Sequence, residues 1–233
     1  MEQNIAESPV LFNAWTWAEK NKKLLIYAVA GLGVAGIVIY YQVQARSEKV
    51  AAAGKELSQT IFTQMGRPDL AATAEALLKV ANTHAGTPAG AQALMLGAGN
   101  LFNAGKHPEA QAAYERFRKE YSGNPLMPQA IYGAGTALAA QGKWDDAARA
   151  FKDVVDQHAK APVARQAKYA LAHAYEAQGK PEQALPLYQD ITRDGFGGSV
   201  ATESAQRAEA LALHIKPPAP SPIEATNVAP AKP

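Results

Sequence analysis

The chain has no cysteine among its 233 residues. That excludes disulfides, thiolate metal sites, a thiol nucleophile and lipidation of an N-terminal cysteine. A surplus of one charge is missing too. The formal net charge is +2, whereas a dedicated nucleic-acid binder carries a concentrated basic face, so no nucleic-acid partner is expected. Aromatic residues make up only 8%, and no stretch alternates apolar and polar side chains with strand period. Motifs that carry chemistry are also lacking. There is no G-x-S-x-G and no phosphate loop. None of His84, His107, His158, His173 and His214 stands four residues from another His, Asp or Glu, the spacing of a helical metal site. The chain therefore reads as a non-enzyme, with no metal, no cofactor and no small-molecule substrate.

Long apolar runs are scarce as well, with one exception near the N-terminus. Residues 24–41 are eighteen residues without a charge. Extended through Val43, about 20 residues suffice to cross a ~30 Å hydrocarbon core. Trp15 and Trp17 precede the run and Tyr40 and Tyr41 end it, where amphipathic rings favour a membrane interface. The reading is a juxtamembrane helix starting at Ser8-Pro9 within a short tail (1–23), then a transmembrane helix (24–45). Lys20, Lys22 and Lys23 abut the run on one side, which by the positive-inside tendency puts the N-terminus in the cytoplasm and the rest outside it. Two alternatives stay open. Val43-Gln44-Ala45 could end a cleaved signal peptide, although the run exceeds a usual signal core. A buried core helix is the other.

Gly31 to Gly36 spells GxGxxG. A dinucleotide site would need a strand before it and a loop around it, and here the motif sits inside a membrane-length helix. Gly31 and Ala35 instead form a small-xxx-small pair able to admit a second transmembrane helix.

Beyond the run the chain repeats itself. Gly105, Gly142 and Gly179 are spaced by 37 residues, as are Lys106, Lys143 and Lys180, Ala110, Ala147 and Ala184, and Tyr114, Phe151 and Tyr188. Gln92, Gln129 and Gln166 and the prolines Pro88, Pro125 and Pro162 keep the same spacing. A fixed period of this size means one supersecondary unit stacked on copies of itself. With abundant alanine, that unit is a hairpin of close-packed helices. The prolines, preceded by Thr87, Asn124 and Ala161, are placed in the first turn of each first helix. The glycine ends that helix. The second helix carries Ala110, Tyr114 and Phe117 on one stripe, then Ala147, Phe151 and Val154, then Ala184, Tyr188 and Ile191, at the i, i+4, i+7 spacing of a single face.

A degenerate first unit is read over 47–83, with its turn about two residues out of register. Val50, Leu57, Ile61 and Phe62 are expected buried there. Trp144 is expected to pack the hairpin turn, Glu109, Asp145 and Asp146 to open second helices, and Pro186 to distort the last one. A bulky residue at Ala147 should overpack its hairpin by ~1–3 kcal/mol. Residues 200–214 form a polar capping helix that closes the repeat domain (46–215). The tail (216–233) has six prolines in eighteen residues and reads as extended and disordered.

This small-then-aromatic plan around a turn glycine resembles the tetratricopeptide repeat, and the fold is accordingly all-α: one transmembrane helix, then about four TPR-like hairpins and a capping helix. The period exceeds the family's 34, and the family's early tryptophan is replaced by Leu94, Ile131 and Lys168. Stacked hairpins curve with their first helices inside, so the candidate binding face is Gln92, Met95, Phe102 and Asn103, then Gln129, Tyr132 and Thr136, then Gln166, Tyr169, His173 and Glu176. Amides and rings at these positions suit a mostly neutral peptide.

The whole layout, with Trp15 to Lys23, the 24–41 run and the helical pairs after it, is similar to the YfgM family, an ancillary subunit of the SecYEG translocon. That resemblance implies an inner-membrane tether with its repeats in the periplasm, and as partners Sec subunits, translocating chains or periplasmic chaperones. A scaffold for envelope assembly or cell division, of the Tol-Pal or outer-membrane assembly type, is the alternative.

Overall fold

The computed structural model describes residues 9–66, 68–193 and 198–215, and these form helices without a strand. In chain order the helices are α1 (Pro9–Lys20), α2 (Lys22–Gln64), α3 (Leu70–Thr83), α4 (Pro88–Asn103), α5 (His107–Glu120), α6 (Met127–Ala140), α7 (Trp144–Gln157), α8 (Ala164–Ala177), α9 (Pro181–Arg193) and α10 (Ser199–His214). Ser8, Arg67, residues 195–197 of the glycine-rich turn and the proline-rich tail lie outside the described residues.

The element that organises the molecule is α2. It runs 43 residues without a break, about 65 Å at 1.5 Å per residue. Its first half is the one stretch among the described residues long and apolar enough to cross a membrane. Leu24, Ile26, Leu32, Ile37 and Ile39 are all exposed, so the core-helix alternative falls: none of the described residues covers them. The same helix continues into the repeats, where Ala53 and Leu57 are buried against α3 and α4.

The repeats are helical hairpins: the second half of α2 with α3, then α4 with α5, α6 with α7, and α8 with α9, followed by α10. Each first helix packs on its own second helix and on the second helix of the hairpin before it. First helices also pack on one another, α2 to α4, α4 to α6, α6 to α8 and α8 to α10, whereas second helices meet the next only through long side chains, as Arg116 meets Asn82 and Arg118 meets Asp153. An array held closer on one side than the other curves, and the first helices form its concave wall.

Gly105, Gly142 and Gly179 occupy equivalent corners at φ +76, +74 and +69. At each corner the following lysine N–H reaches back to Leu101, Leu138 or Tyr175, and the glycine N–H to Phe102, Ala139 or Glu176, all at 2.9 or 3.0 Å. This double bond pattern satisfies carbonyls that the helix end would leave orphaned, and the left-handed φ it needs is what glycine supplies without steric cost. In the first hairpin α2 stops at Gln64, and Gly66 turns the chain at φ +79. That is two residues early, as the register predicts, and a five-residue connection to α3 absorbs the difference.

The stripes Ala110-Tyr114-Phe117, Ala147-Phe151-Val154 and Ala184-Tyr188-Ile191 are buried as expected. Burying each large ring or branched chain contributes ~1.5–3 kcal/mol. Close approach depends on small partners: a Cβ at Gly135 would lie 2.7 Å from the Phe151 ring, and one at Gly133 2.5 Å from that of Tyr114.

Four expectations need correction or extension. Of Val50, Leu57, Ile61 and Phe62 only Leu57 is buried. Being the first helix of the array, α2 has no preceding hairpin to cover its other side. Pro125 and Pro162 do not open helices. Asn124 accepts the Leu126 N–H at 2.9 Å and closes a turn instead, so α6 begins at Met127 and α8 at Ala164. Thr87 does cap α4, accepting the Gly90 N–H at 3.0 Å ahead of Pro88. Trp144 packs not only against the core it shares with its own hairpin but also on His173 of the next, ring centroids 5.8 Å apart. Finally, α9 continues through Pro186, which lies on its exposed side and forfeits only the bond to the Glu182 carbonyl.

Candidate partner-binding face

The concave wall is built by residues at fixed places on successive first helices. The 37-residue register places Gln92, Gln129 and Gln166 in one row, and Met95, Tyr132 and Tyr169 in the next. Gly99, Thr136 and His173 form a third row, and Phe102, Ala139 and Glu176 a fourth.

The glutamine row does not share one environment. Gln92 and Gln166 are exposed; Gln166 borders a cavity of about 550 Å³ beside the start of α10. Gln129 is half-buried, and its Oε1 is enclosed without a hydrogen-bond partner. In the ring row, Met95 packs onto the core. Tyr132 leans on Phe151 with centroids 5.7 Å apart, and Tyr169 on Tyr188 at the same distance. Both tyrosines are half-buried, so each gives one side to its own hairpin and the other to the face. Thr136 donates its hydroxyl to the Tyr132 carbonyl at 2.9 Å. Phe102 stacks on His107 at the hairpin tip, 5.0 Å between centroids, and Asn103 is exposed.

The last hairpin differs. Glu176 accepts from Arg207 of α10 at 3.3 Å, and Arg207 also reaches Glu203 at 3.3 Å. Burial, and then hydrogen bonding to Glu203, raises the Tyr169 hydroxyl above the usual tyrosine range. The Tyr169 hydroxyl in turn holds the Glu203 carboxyl below the usual carboxylate range. The Tyr188 hydroxyl is buried outside hydrogen-bond geometry from Glu176 but close to its charge; burial first, and that carboxylate second, raise its pKa. Lys168 pairs with Asp190 across the hairpin. Here the chain's own charged groups pair with one another, and the Tyr188 hydroxyl stays without a hydrogen-bond partner.

Charge is distributed unevenly between the walls. Neither α4 nor α6 contains a single Asp, Glu, Lys or Arg. The second helices α5 and α7 carry Glu115, Arg116, Arg118, Lys119 and Glu120, and Asp145, Asp146, Arg149, Lys152, Asp153 and Asp156. Ions are thus kept on the outer, wetter side, where surface pairs such as Arg118–Asp153 at 3.7 Å contribute little to stability.

A family described as the tetratricopeptide repeat matches residues 97–143 and 132–197, the stretch over which the hairpins are most regular. Residues 97–197 are thus similar to tetratricopeptide repeats. Among solved structures, it is similar to nearly identical TPR-like repeats of a putative kinesin light chain from Podosopora anserina, at 17% identity and TM-score 0.54, over 72% of this chain and 84% of that one. It is also similar to a tetratricopeptide repeat protein from Parabacteroides merdae, at 15% identity and TM-score 0.56, over 70% and 61%. At these identities the likeness concerns the fold alone. No curated protein matches the sequence.

Two features of the repeat array escaped the sequence reading. Gln141 and Gln178 bridge successive repeats from their corners: Gln141 donates to Gln111 and Gln178 to the Trp144 carbonyl, each at 3.0 Å. Their 37-residue spacing was the available signal. The second is the end of α2. Register places Phe62 where Gly99 stands in the next repeat, and Met65 where Phe102 stands. Phe62 is 77% exposed and Met65 72%. At the other extreme, Gly31 and Ala35 lie exposed on α2, with open space around Gly31.

Proposed function

We propose that this chain is a membrane-tethered scaffold whose tetratricopeptide repeats hold polypeptide segments on the periplasmic side of the inner membrane, beside the Sec translocon and its periplasmic chaperones. It is a binding protein and not an enzyme. The observation that carries the tether is α2: one unbroken helix with an uncovered apolar half and a second half buried in the first repeat. Apolar surface of that extent is favourable in lipid and costly in water. Without a joint at the boundary, the array would stand at a fixed angle to the membrane, with hairpin tips away from it. The lysine cluster abutting the span supports a cytoplasmic N-terminus, with the repeats outside. Repeats of this fold imply protein partners, and a first wall without charges on α4 and α6 suits segments of low charge.

Two measurements test this together. Alkaline carbonate extraction should leave the intact chain in the membrane pellet, and protease added to spheroplasts should digest the repeats. Photo-crosslinkers at Gln129 and Tyr132 should then capture Sec subunits and translocating chains. Release of the chain by carbonate would end the tether. Capture of division or outer-membrane assembly proteins instead would replace the translocon with an envelope-assembly role.

A further inference from the structure

The concave wall does not stop at α4. On α2, residues 57–66 carry no charge, and register continues the face onto Ser58, Phe62 and Met65. The three first helices at this end, α2 beyond Glu56, α4 and α6, therefore present no charged side chain, while α8 and α10 present Arg165, Lys168, Glu176, Glu203 and Arg207. Phe62 and Met65 are the most exposed large apolar side chains on a concave position in this half. Met95, Phe102 and Tyr132 continue the face, in neighbouring rows, as half-buried rings and a thioether.

Resting on the reading above, we propose that the face starts on α2 itself, with Phe62 and Met65 as its anchor, and that this end docks an uncharged, apolar-rich segment of a non-native polypeptide. The commitment to that occupant follows from charge. A charged segment laid over three helices without a counter-ion would be desolvated and left unpaired. An apolar one would remove Phe62 and Met65 from water and gain from the adaptable thioethers of Met65 and Met95. The opposite end has its ions paired with one another, Glu176–Arg207–Glu203 and Lys168–Asp190, and its cavity beside Gln166 is lined by Arg165 and Lys168, so it is not a neutral wall of this kind.

The test uses the full chain in lipid nanodiscs and a fluorescent twelve-residue peptide of alternating leucine and serine, with a second peptide in which glutamates replace half the serines. Empty nanodiscs give the background. The neutral peptide should bind, and the acidic one at least ten-fold more weakly. Phe62→Ser and Met65→Ser should each weaken the neutral peptide five-fold or more, and together beyond twenty-fold. Arg149→Ala, on the outer side of α7, should change it less than two-fold. Unchanged helix content in both variants shows the fold intact. If both serine variants bind normally while Tyr132→Ala does not, the face begins at α4 and the extension onto α2 is wrong, though the concave reading stands. If none of the three variants matters, the concave reading fails with it. Tighter binding of the acidic peptide would overturn the assigned chemistry.

Discussion

Tyr132 on α6 and Tyr169 on α8 occupy the same place in successive repeats, and each leans on the aromatic ring of its own second helix, Phe151 or Tyr188, at the same 5.7 Å. What surrounds them differs. Around Tyr132 the first helices are neutral and small, down to Gly133 and Gly135, with only threonine and alanine beside them. Around Tyr169 stand Glu176, Glu203 and Arg207, bonded to one another. One repeat plan has thus been given two chemistries: an end left unsatisfied towards solvent, and an end that satisfies itself. A solenoid needs a terminal helix that closes its core. Here α10 does so with ions, Glu203 standing in the row of Gln92, Gln129 and Gln166.

The largest effect that would sharpen the comparison is steric. A Cβ at Gly90 would sit 2.2 Å from the His84 carbonyl oxygen, a backbone atom that cannot step aside. Gly90→Ala should destabilise the neutral end by about 1–3 kcal/mol, read by urea unfolding, with the α8–α10 end still helical at intermediate urea. Next comes alkaline pH at the charged end. The Tyr188 hydroxyl is raised from 10.0, so its contribution is complete below the unfolded value and is lost as pH rises past it, because the unfolded chain ionises first. Stability should fall above pH 10, and Tyr188→Phe should remove part of that fall. A flat profile would show the hydroxyl to be solvated.

Smaller is the ion pair. Arg207 and Glu176 keep 33% and 24% of their side-chain surface exposed, so solvent screens them, and Arg207→Ala should cost about 1 kcal/mol or less, localised to α10. Glu203, held below the usual carboxylate range, adds a pH dependence of the opposite sign. Its contribution is present above the ordinary carboxylate value of about 4 and fades as pH falls below it. Amide exchange of α10 should therefore quicken in acid before that of α4. Smallest of all, Phe62→Ser and Met65→Ser should move stability by less than about 0.5 kcal/mol, since both side chains are exposed. A large loss would mean they belong to the core and not to the face.

Much of this was legible in residues alone. The 37-residue period located the corners at Gly105, Gly142 and Gly179, because a left-handed turn needs glycine and the chain repeats it, while the first, at Gly66, stands two residues off the period. It also located the buried stripes, since i, i+4, i+7 positions share one side of a helix. The concave rows followed from the same register. What periodicity cannot give is whether a face has a neighbour. Val50, Ile61 and Phe62 sit at helical spacing like any core stripe, yet only chain order, with no hairpin before α2, leaves them uncovered. Proline marked the entry of α4, where Thr87 caps it, and misplaced α6, where Asn124 spends its side chain on a turn. The Glu176–Arg207 pair joins residues that fall in different rows of the repeat, so no periodic signal announced it.

The account rests on a face that is open at the α2 end and self-satisfied at the α10 end. Five residues hold one equivalent place on the five first helices: Phe62, Gly99, Thr136, His173 and Ala210. A photo-crosslinking side chain placed at each in turn, in cells, gives a profile of substrate contact along the array. High yield at 62, 99 and 136 with a steep drop at 173 and 210 is the predicted result. A level profile, or one that rises towards 210, would contradict it.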